Sequence, residues 1–224
     1  MTSSEKTARL QHLDKAHHLH PFTDYQAFSQ HGGRIISAAE HIYVIDSDGN
    51  KLLDGMSGLW CCNLGYSQHT IVDAIHAQLQ ALPYYNNFFQ CANQPSVELA
   101  QALVAITPPQ FNHVFFTNSG SEANDTNLRL VHRYYELLGK PEKHHIISRK
   151  NAYHGSSMGS GSLGGMSYMH EQGGMPIPGI HHINQPDWWV EGGDLTPEAF
   201  GLARAQELEA KILELGADNV AAFI

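Results

Sequence analysis

The amino-acid sequence predicts an α/β fold with a mainly parallel sheet, because strand-like and helical patterns alternate through its second half. Residues 113–118 (HVFFTN) form a short apolar run, and a helical pattern follows it to about Leu138. Residues 144–149 (HHIISR) are the next predicted strand. The last helical pattern covers residues 197–215 and leads into the apolar segment 220–224. This order is typical of parallel sheets that are covered by helices.

The first part of the chain shows helical patterns around one hairpin. Apolar residues recur at close to a helical period over residues 5–19, and again over 71–82 and 97–104. Two short apolar runs, 42–45 and 52–53, flank a turn with the sequence Asp-Gly-Asn. Such a turn between two strand-like runs predicts a β-hairpin.

Composition and charge exclude several classes of partner. The 224 residues include 13 Lys and Arg against 22 Asp and Glu, a formal net charge of −9 at pH 7, with no basic cluster. We therefore expect no nucleic-acid partner and no membrane partner. The N-terminus lacks the apolar region of a secretory signal, and no apolar run approaches the ~20 residues of a membrane span. Three cysteines do not suggest a disulfide framework, so we expect a cytoplasmic protein.

A small Ser-Gly-Ser turn lies between the predicted strand 113–118 and the helix that follows. The backbone N–H groups at a helix N-terminus, together with the helix dipole, favour an anion, and Gly120 lets a ligand approach closely. Ser119, Gly120 and Ser121 are therefore candidate phosphate-binding residues. A plain helix cap by Ser119 or Ser121 explains the same pattern equally well.

The segment Asn-Ala-Tyr-His-Gly, residues 151–155, directly follows the predicted strand 144–149. If this strand and 113–118 are parallel neighbours, both motifs lie at the same edge of the sheet. Tyr153 can then stack on a flat ligand whose phosphate binds at Gly120. The alternative is a core tyrosine whose hydroxyl is satisfied within the protein.

Aromatic residues form a third candidate feature. A run such as PYYNNFF has no helical period, so one helix face explains it poorly, and it can line a pocket for an apolar substrate group. Packing in a core or an interface is the equal alternative. The set consists of Phe22, Trp60, Tyr84, Tyr85, Phe88 and Phe89.

The sequence predicts no metal site. The residues that could bind a metal are mainly the 16 histidines, which include three adjacent pairs. Adjacent side chains point in different directions, so a pair rarely binds one ion. The chain contains no HExxH or CxxC pattern either, and we assign the histidines to surface or structural positions.

Four separated segments together carry a family resemblance. LDGMSGLWCCNLGYSQ, FFTNSGSEANDTNLRLVHRYY, NAYHGSSMGSGSLGG and GIHHINQP resemble the class III aminotransferases, and more narrowly the ω-amino acid–pyruvate transaminase group. The resemblance runs from about His17 onward. It implies a pyridoxal 5'-phosphate (PLP) enzyme of fold type I. The chain would then comprise an N-terminal arm and hairpin of the small domain, residues 1–65, and an incomplete large cofactor-binding domain, residues 66–224.

The resemblance also implies roles for individual residues. Ser119, Gly120 and Ser121 match the family's phosphate-binding cup, and Tyr153 matches the aromatic residue that stacks on the pyridine ring, with His154 beside it. The substrate pocket would be lined by Trp60, Phe22, Phe88 and Tyr153. In this family the pocket forms across a homodimer interface. The implied partners are an amine donor and a keto-acid acceptor such as pyruvate, in a homodimer or a dimer of dimers.

We assign no catalytic residue within residues 1–224. The family's catalytic lysine, the aspartate that pairs with the pyridine nitrogen and the carboxylate-binding arginine are expected downstream of Ile224. We therefore expect this chain to be the N-terminal part of a longer protein, and inactive alone. A racemase, an aminomutase or a decarboxylase on the same scaffold, or a non-catalytic fragment, are the alternatives.

Overall fold

The computed structural model describes residues 2–224, which divide into two compact units. The first unit ends at Glu98, and the second spans Leu99–Ile224. The domain boundary that the sequence predicts after residue 65 stays a prediction. Within residues 2–224, no helix combines the length and the apolar character that crossing a membrane requires.

The first unit contains helices of which the first two begin at a side-chain cap. Thr2 caps the first helix, since its hydroxyl accepts from the Glu5 N–H while the Glu5 carboxylate accepts from the Thr2 N–H. The three helices that the sequence predicts here are present. The helices are α1 (Ser3–His17), α2 (Tyr25–His31), α3 (Ser57–Trp60), α4 (His69–Ala81) and α5 (Gln94–Ile106), the last of which continues into the second unit.

A three-stranded antiparallel sheet completes the first unit. Its strands are β1 (Ile36–Glu40), β2 (Tyr43–Asp46) and β3 (Lys51–Leu53), in the order β1-β2-β3. The predicted hairpin is confirmed as β2 and β3, with its turn closed by the carboxylate of Asp46, which accepts from the Asn50 N–H at 2.9 Å. The sequence analysis missed β1, because its five residues are exposed and show no apolar alternation.

The second unit is built on a three-stranded parallel sheet. Its strands are β4 (His145–Arg149), β5 (Ile180–Ile183) and β6 (Val220–Phe223), in the order β5-β4-β6. The parallel α/β prediction is therefore confirmed, with β4 and β6 at the predicted positions. The sequence analysis missed β5, whose short apolar pattern is interrupted by two histidines.

The strand predicted over residues 113–118 is wrong. This segment forms neither strand nor helix in the part of the chain that the structure describes, and β4 is flanked by β5 and β6 instead. The side chain of Phe115 in this segment is 71% exposed. An apolar run becomes a strand only where a neighbour provides backbone hydrogen bonds, and both edges of β4 are taken.

Besides the end of α5, five helices of the described chain belong to the second unit. α6 and α10 match the predicted helices, and α10 begins at the Thr196 cap and ends at Gly216, whose φ is 84°. The glycine-rich stretch 155–179 contains two short helices. The helices are α6 (Gly120–Leu137), α7 (Met158–Leu163), α8 (Ser167–His170), α9 (Trp188–Glu191) and α10 (Pro197–Leu215).

The core of the second unit lies between its sheet and α7. Ile146, Leu163 and Ile180 form a buried cluster, and Leu128 of α6 packs against it. Ile147 is completely buried. Because β4 lies at the centre of the sheet, the loop that follows it starts from the most buried part of this unit.

Candidate functional site

The N-terminus of α6 presents two backbone donors. Ser119 caps this 18-residue helix, because its hydroxyl accepts from the Glu122 N–H at 3.1 Å and its carbonyl accepts from the Ala123 N–H at 3.0 Å. Among the residues that the structure describes, the N–H groups of Gly120 and Ser121 have no hydrogen-bond acceptor. The capping interpretation is thus correct for Ser119, and it leaves two donors at the positive end of the helix dipole.

The space in front of Gly120 is open. A Cβ atom placed on Gly120 would meet no atom within 4 Å. The carboxylate of Glu122 is engaged by Asn118, whose backbone N–H and side-chain amide donate at 2.9 and 3.2 Å. An anion can therefore approach the helix end closely while the nearest negative side chain is hydrogen-bonded elsewhere.

The loop after β4 is brought to this helix end. The hydroxyl of Ser121 accepts from the Ser156 N–H at 3.0 Å, and the side-chain amide of Asn124 donates to the His154 carbonyl at 2.7 Å. Tyr153 lies between β4 and these contacts, with its side chain about half exposed. The two sequence motifs are neighbours as predicted, but side chains of α6 join them rather than adjacent strands.

Gly155 is required by this contact. Its φ is 138°, and a Cβ atom there would lie 2.6 Å from the Ser121 hydroxyl and would overlap the Ser160 hydroxyl. The N–H of Ser160 in turn donates to the Asp125 carboxylate at 2.7 Å. The sequence analysis missed Asn124, Asp125 and Ser160. Their contacts join residues 30 or more positions apart, which no local sequence pattern marks.

His154 lies partly buried beside Tyr153. Burial, and then the neighbouring His182, lower the pKa of His154 below its usual value. Its Nε2 atom is buried and has no hydrogen-bond partner within the described chain. The imidazole is therefore neutral near pH 7, with one nitrogen unsatisfied by the protein.

A groove of about 480 Å³ opens along the same end of α6. The hydroxyls and the Arg129 guanidinium are suited to an anion, and the two backbone donors lie at the start of the same helix. The carboxylates of Glu122 and Asp125 line the same groove, so its lining combines one positive side chain with two negative ones. The groove is lined by Ser119, Ser121, Glu122, Asp125, Thr126, Arg129 and Ser157.

The predicted substrate aromatics belong to different units. Phe22, Trp60 and Phe88 lie in the first unit, with side chains that are 64%, 76% and 70% exposed, and Tyr153 lies in the second. Packing in the core of this chain is therefore the wrong interpretation for these four residues. A pocket wall and an interface stay open as interpretations, and their convergence stays a prediction.

Trp60 is presented by an unusual turn. The four residues of α3, Ser57–Trp60, all have left-handed backbone angles, with φ between 48° and 66°. Such a turn is costly for residues other than glycine. It is held by the Asp54 carboxylate, which accepts from the N–H groups of Met56 at 3.0 Å and Gly58 at 2.8 Å.

The same carboxylate binds a tyrosine. The Tyr66 hydroxyl donates to Asp54 Oδ2 at 2.5 Å. This hydrogen bond, followed by that from Gly58, lowers the pKa of Asp54, and it raises the pKa of Tyr66 to about 12. The sequence analysis missed both residues, although Asp-Gly directly after a strand is a common signal for a side-chain-capped turn.

The sequence as a whole matches a known protein family. The chain belongs to the class-III aminotransferase family, because the family pattern described as Aminotransferase class-III matches residues 26–224.

Curated relatives support the same assignment. The chain is 54% identical over 222 residues to a putrescine–pyruvate aminotransferase of Pseudomonas aeruginosa, a match that covers 99% of this chain and 49% of that protein. A vanillin aminotransferase of Capsicum chinense is 44% identical over 193 residues, covering 85% of this chain and 42% of that protein. The chain thus spans about half the length of the curated relatives it matches.

Solved ω-transaminases share the fold. The ω-transaminase from Pseudomonas jessenii in complex with PMP matches with a TM-score of 0.91 at 38% identity, over 96% of this chain and 48% of that one. A thermostable (S)-enantioselective ω-transaminase from Thermomicrobium roseum matches with a TM-score of 0.92 at 36% identity, with the same coverage. The resemblance to transaminases and the predicted fold class are confirmed.

Proposed function

We propose that the protein containing this segment is a PLP-dependent transaminase that moves an amino group from an amine or ω-amino acid to a keto acid such as pyruvate. The observation that carries the proposal is the contact between the α6 N-terminus and the Tyr153–Ser156 loop. It joins an anion site to an aromatic side chain, as a phosphorylated aromatic cofactor requires. A relative at 54% identity named as a putrescine–pyruvate aminotransferase supports the reaction class.

The residues of this chain would bind and orient the cofactor. When bound, PLP supplies the electron sink for amino-group transfer. The N–H groups of Gly120 and Ser121 would hold its phosphate, with the Ser119 and Ser121 hydroxyls alongside. Tyr153 would stack on the ring and limit its tilt. His154, which follows Tyr153 and is neutral, would lie beside the cofactor.

The substrate class follows from the aromatic residues. Trp60, Phe22, Phe88 and Tyr153 would form flat apolar walls, and apolar burial contributes about 25 cal/mol per Å². Aryl amines and longer alkyl amines are therefore proposed as donors in preference to small polar amino acids. Diamines belong to the same class, because an ammonium group is attracted to the face of an aromatic ring.

The remaining parts of the assignment concern the whole protein. We place no catalytic residue in residues 1–224, so the lysine that holds the cofactor would come from the rest of the protein, and this chain alone would not turn over. A homodimer, or a dimer of dimers, is the proposed assembly, and the cytoplasm the proposed location.

The test is Gly120→Val in the whole protein. Because the space around Gly120 is open, the added side chain fits the folded chain but blocks the approach of a phosphate. We expect PLP affinity to fall at least tenfold, and alanine formation from pyruvate with an aryl amine or a diamine to fall with it. Gly201→Val is the matched control, since Gly201 also lies in a helix with no atom within 4 Å of an added Cβ.

Two results would contradict the proposal. Equal PLP affinity in Gly120→Val and Gly201→Val would show that the phosphate does not bind at the α6 N-terminus. Loss of the amine without stoichiometric alanine would leave the cofactor site in place but would contradict transfer of the amino group to pyruvate.

A further inference from the structure

Three metal-ligating side chains converge at the end of α1, outside the site described above. The Asp14 carboxylate oxygen Oδ1 lies 3.0 Å from His18 Nδ1 and 2.9 Å from His20 Nε2. One donor atom from each of the three residues lies within 4.8 Å of the other two. All three residues belong to the first unit.

Local structure fixes the positions of these side chains. Asp14 and His18 are four residues apart at the end of α1, so they share one face, and the His18 N–H donates to the Asp14 carbonyl at 2.9 Å. The chain then reverses and returns His20 to that face. The Tyr25 hydroxyl bonds both the N–H and the carbonyl of His20, and the Phe28 ring packs 4.9 Å from the imidazole of His20.

The cluster has a protected side and an open side. The side chains of Asp14 and His20 are 13% and 27% exposed, whereas His18 is 64% exposed. Two donors are thus held against the protein, and the third faces solvent. Water can reach the cluster to complete a coordination shell.

We propose that Asp14, His18 and His20 bind one zinc ion, with water as the remaining ligand. Two imidazole nitrogens and one carboxylate suit Zn²⁺ and related first-row ions, whereas Mg²⁺ and Ca²⁺ prefer oxygen ligands alone. In the absence of the ion, hydrogen bonds join Asp14 to His18 and His20, and a bound ion would replace these hydrogen bonds. It ties residues 18–20, which directly precede Pro21 and Phe22, to α1, so its role is structural.

The proposal departs from the sequence-based expectation of no metal. That expectation considered adjacent histidine pairs and two standard motifs. The cluster matches neither pattern. Asp14 and His18 are four residues apart on a helix, and His20 reaches them because the chain reverses direction after α1. The proposal is also independent of the proposed transamination, which uses no residue of the cluster.

The experiment is a zinc titration of the untagged whole protein after treatment with a chelator, in chelator-buffered zinc. With 16 histidines in the chain, variants are needed to separate one site from background. We expect one tight equivalent of zinc in the wild type, with affinity at least about tenfold weaker in His18→Ala and in His20→Ala. The matched control is His17→Ala, a neighbouring exposed histidine outside the cluster, which should bind zinc like the wild type.

A second readout uses stability. Zinc should raise the melting temperature of the wild type and of His17→Ala, but not that of His18→Ala, because only a ligand of the folded state stabilises it. His18 is mostly exposed, so its replacement leaves the fold intact. The absence of a tight equivalent in the wild type would overturn the proposal in favour of a hydrogen-bonded cluster only. Equal binding by His17→Ala, His18→Ala and His20→Ala would overturn it as well.

Discussion

At the scale of single residues, the pair formed by Asp54 and Tyr66 has the clearest electrostatic consequence. The hydrogen bond between them stabilises the carboxylate of Asp54 and the protonated hydroxyl of Tyr66. It therefore lowers the pKa of Asp54 and raises that of Tyr66 to about 12. Asp54 also accepts hydrogen bonds from the N–H groups of Met56 and Gly58, in the turn that carries Trp60.

Tyr66→Phe should change how stability depends on pH at both extremes. The raised pKa of Tyr66 contributes stability that is fully present below the unfolded value of about 10, and is lost as pH rises through about 12. The lowered pKa of Asp54 contributes stability above the usual carboxyl range, and this is lost as pH falls through the lowered value. We expect wild type to be more stable than Tyr66→Phe near neutral pH, with the difference shrinking at both ends.

The measurement is urea unfolding of the wild type and of Tyr66→Phe, from pH values below the lowered pKa of Asp54 to values above the Tyr66 pKa of about 12. Asp54→Asn serves as the partner variant, because it removes the charge that raises the pKa of Tyr66 without changing the size of the side chain. A difference between wild type and Tyr66→Phe that stays constant from acid to alkali would show that the pair is not coupled.

At the scale of elements, α3 is a turn whose residues have left-handed backbone angles, although most of them are residue types that disfavour such angles. Leu59 has φ and ψ of 63° and 55°, a left-handed conformation that is unfavourable for a residue with a Cβ atom. Its side chain is 64% exposed, so packing does not offset this cost. The Asp54 hydrogen bonds keep the turn in place, which places Trp60 on a strained but anchored segment.

Leu59→Gly should therefore be neutral, or stabilising by up to about 1 kcal/mol, since glycine adopts left-handed angles at little cost. The same exchange in a regular helix, Leu202→Gly in α10, should be destabilising by about 1 kcal/mol. Leu202 is 62% exposed, so the two sites differ little in lost burial. Denaturant unfolding checks both variants, and an equal loss of stability in the two would contradict a strained α3.

At the scale of the whole molecule, little apolar surface is buried. In the part of the chain that the structure describes, seven apolar side chains are buried, all between Ile146 and Phe200, while 39 large apolar or aromatic side chains are exposed. Exposed apolar area on this scale marks surfaces that other protein covers. One edge of the β6 strand is covered within this chain, because β6 pairs with β4.

We expect the 224-residue chain, when made alone, to self-associate and to bind a hydrophobic dye such as ANS. The physical reason is the exposed apolar surface of both units, including α4 and the loop that carries Phe88 and Phe89. Light scattering and dye fluorescence measure the two effects. A monodisperse monomer that binds no dye would contradict this expectation.

The candidate site shows how far sequence reasoning reached. Ser119, Gly120 and Ser121 were predicted from a turn that opens a helix, and that helix starts at Gly120. The proximity of Tyr153 to this turn was also predicted, but from a strand at 113–118 that does not form. Asn124 and Ser156 make the actual contacts, and nothing local in the sequence marks them as partners of residues about 30 positions away.

The sequence by itself determined what depends on neighbouring residues: the β2–β3 hairpin, the cap of α6 at Ser119, and α10 from Thr196 to Gly216. Each follows from side chains within a few positions of the backbone groups that they satisfy. Only the tertiary structure decided the order β5-β4-β6, the fate of residues 113–118 and the glycine required at position 155. These features depend on which distant segment supplies hydrogen bonds or occupies space, and a local pattern carries no record of that choice.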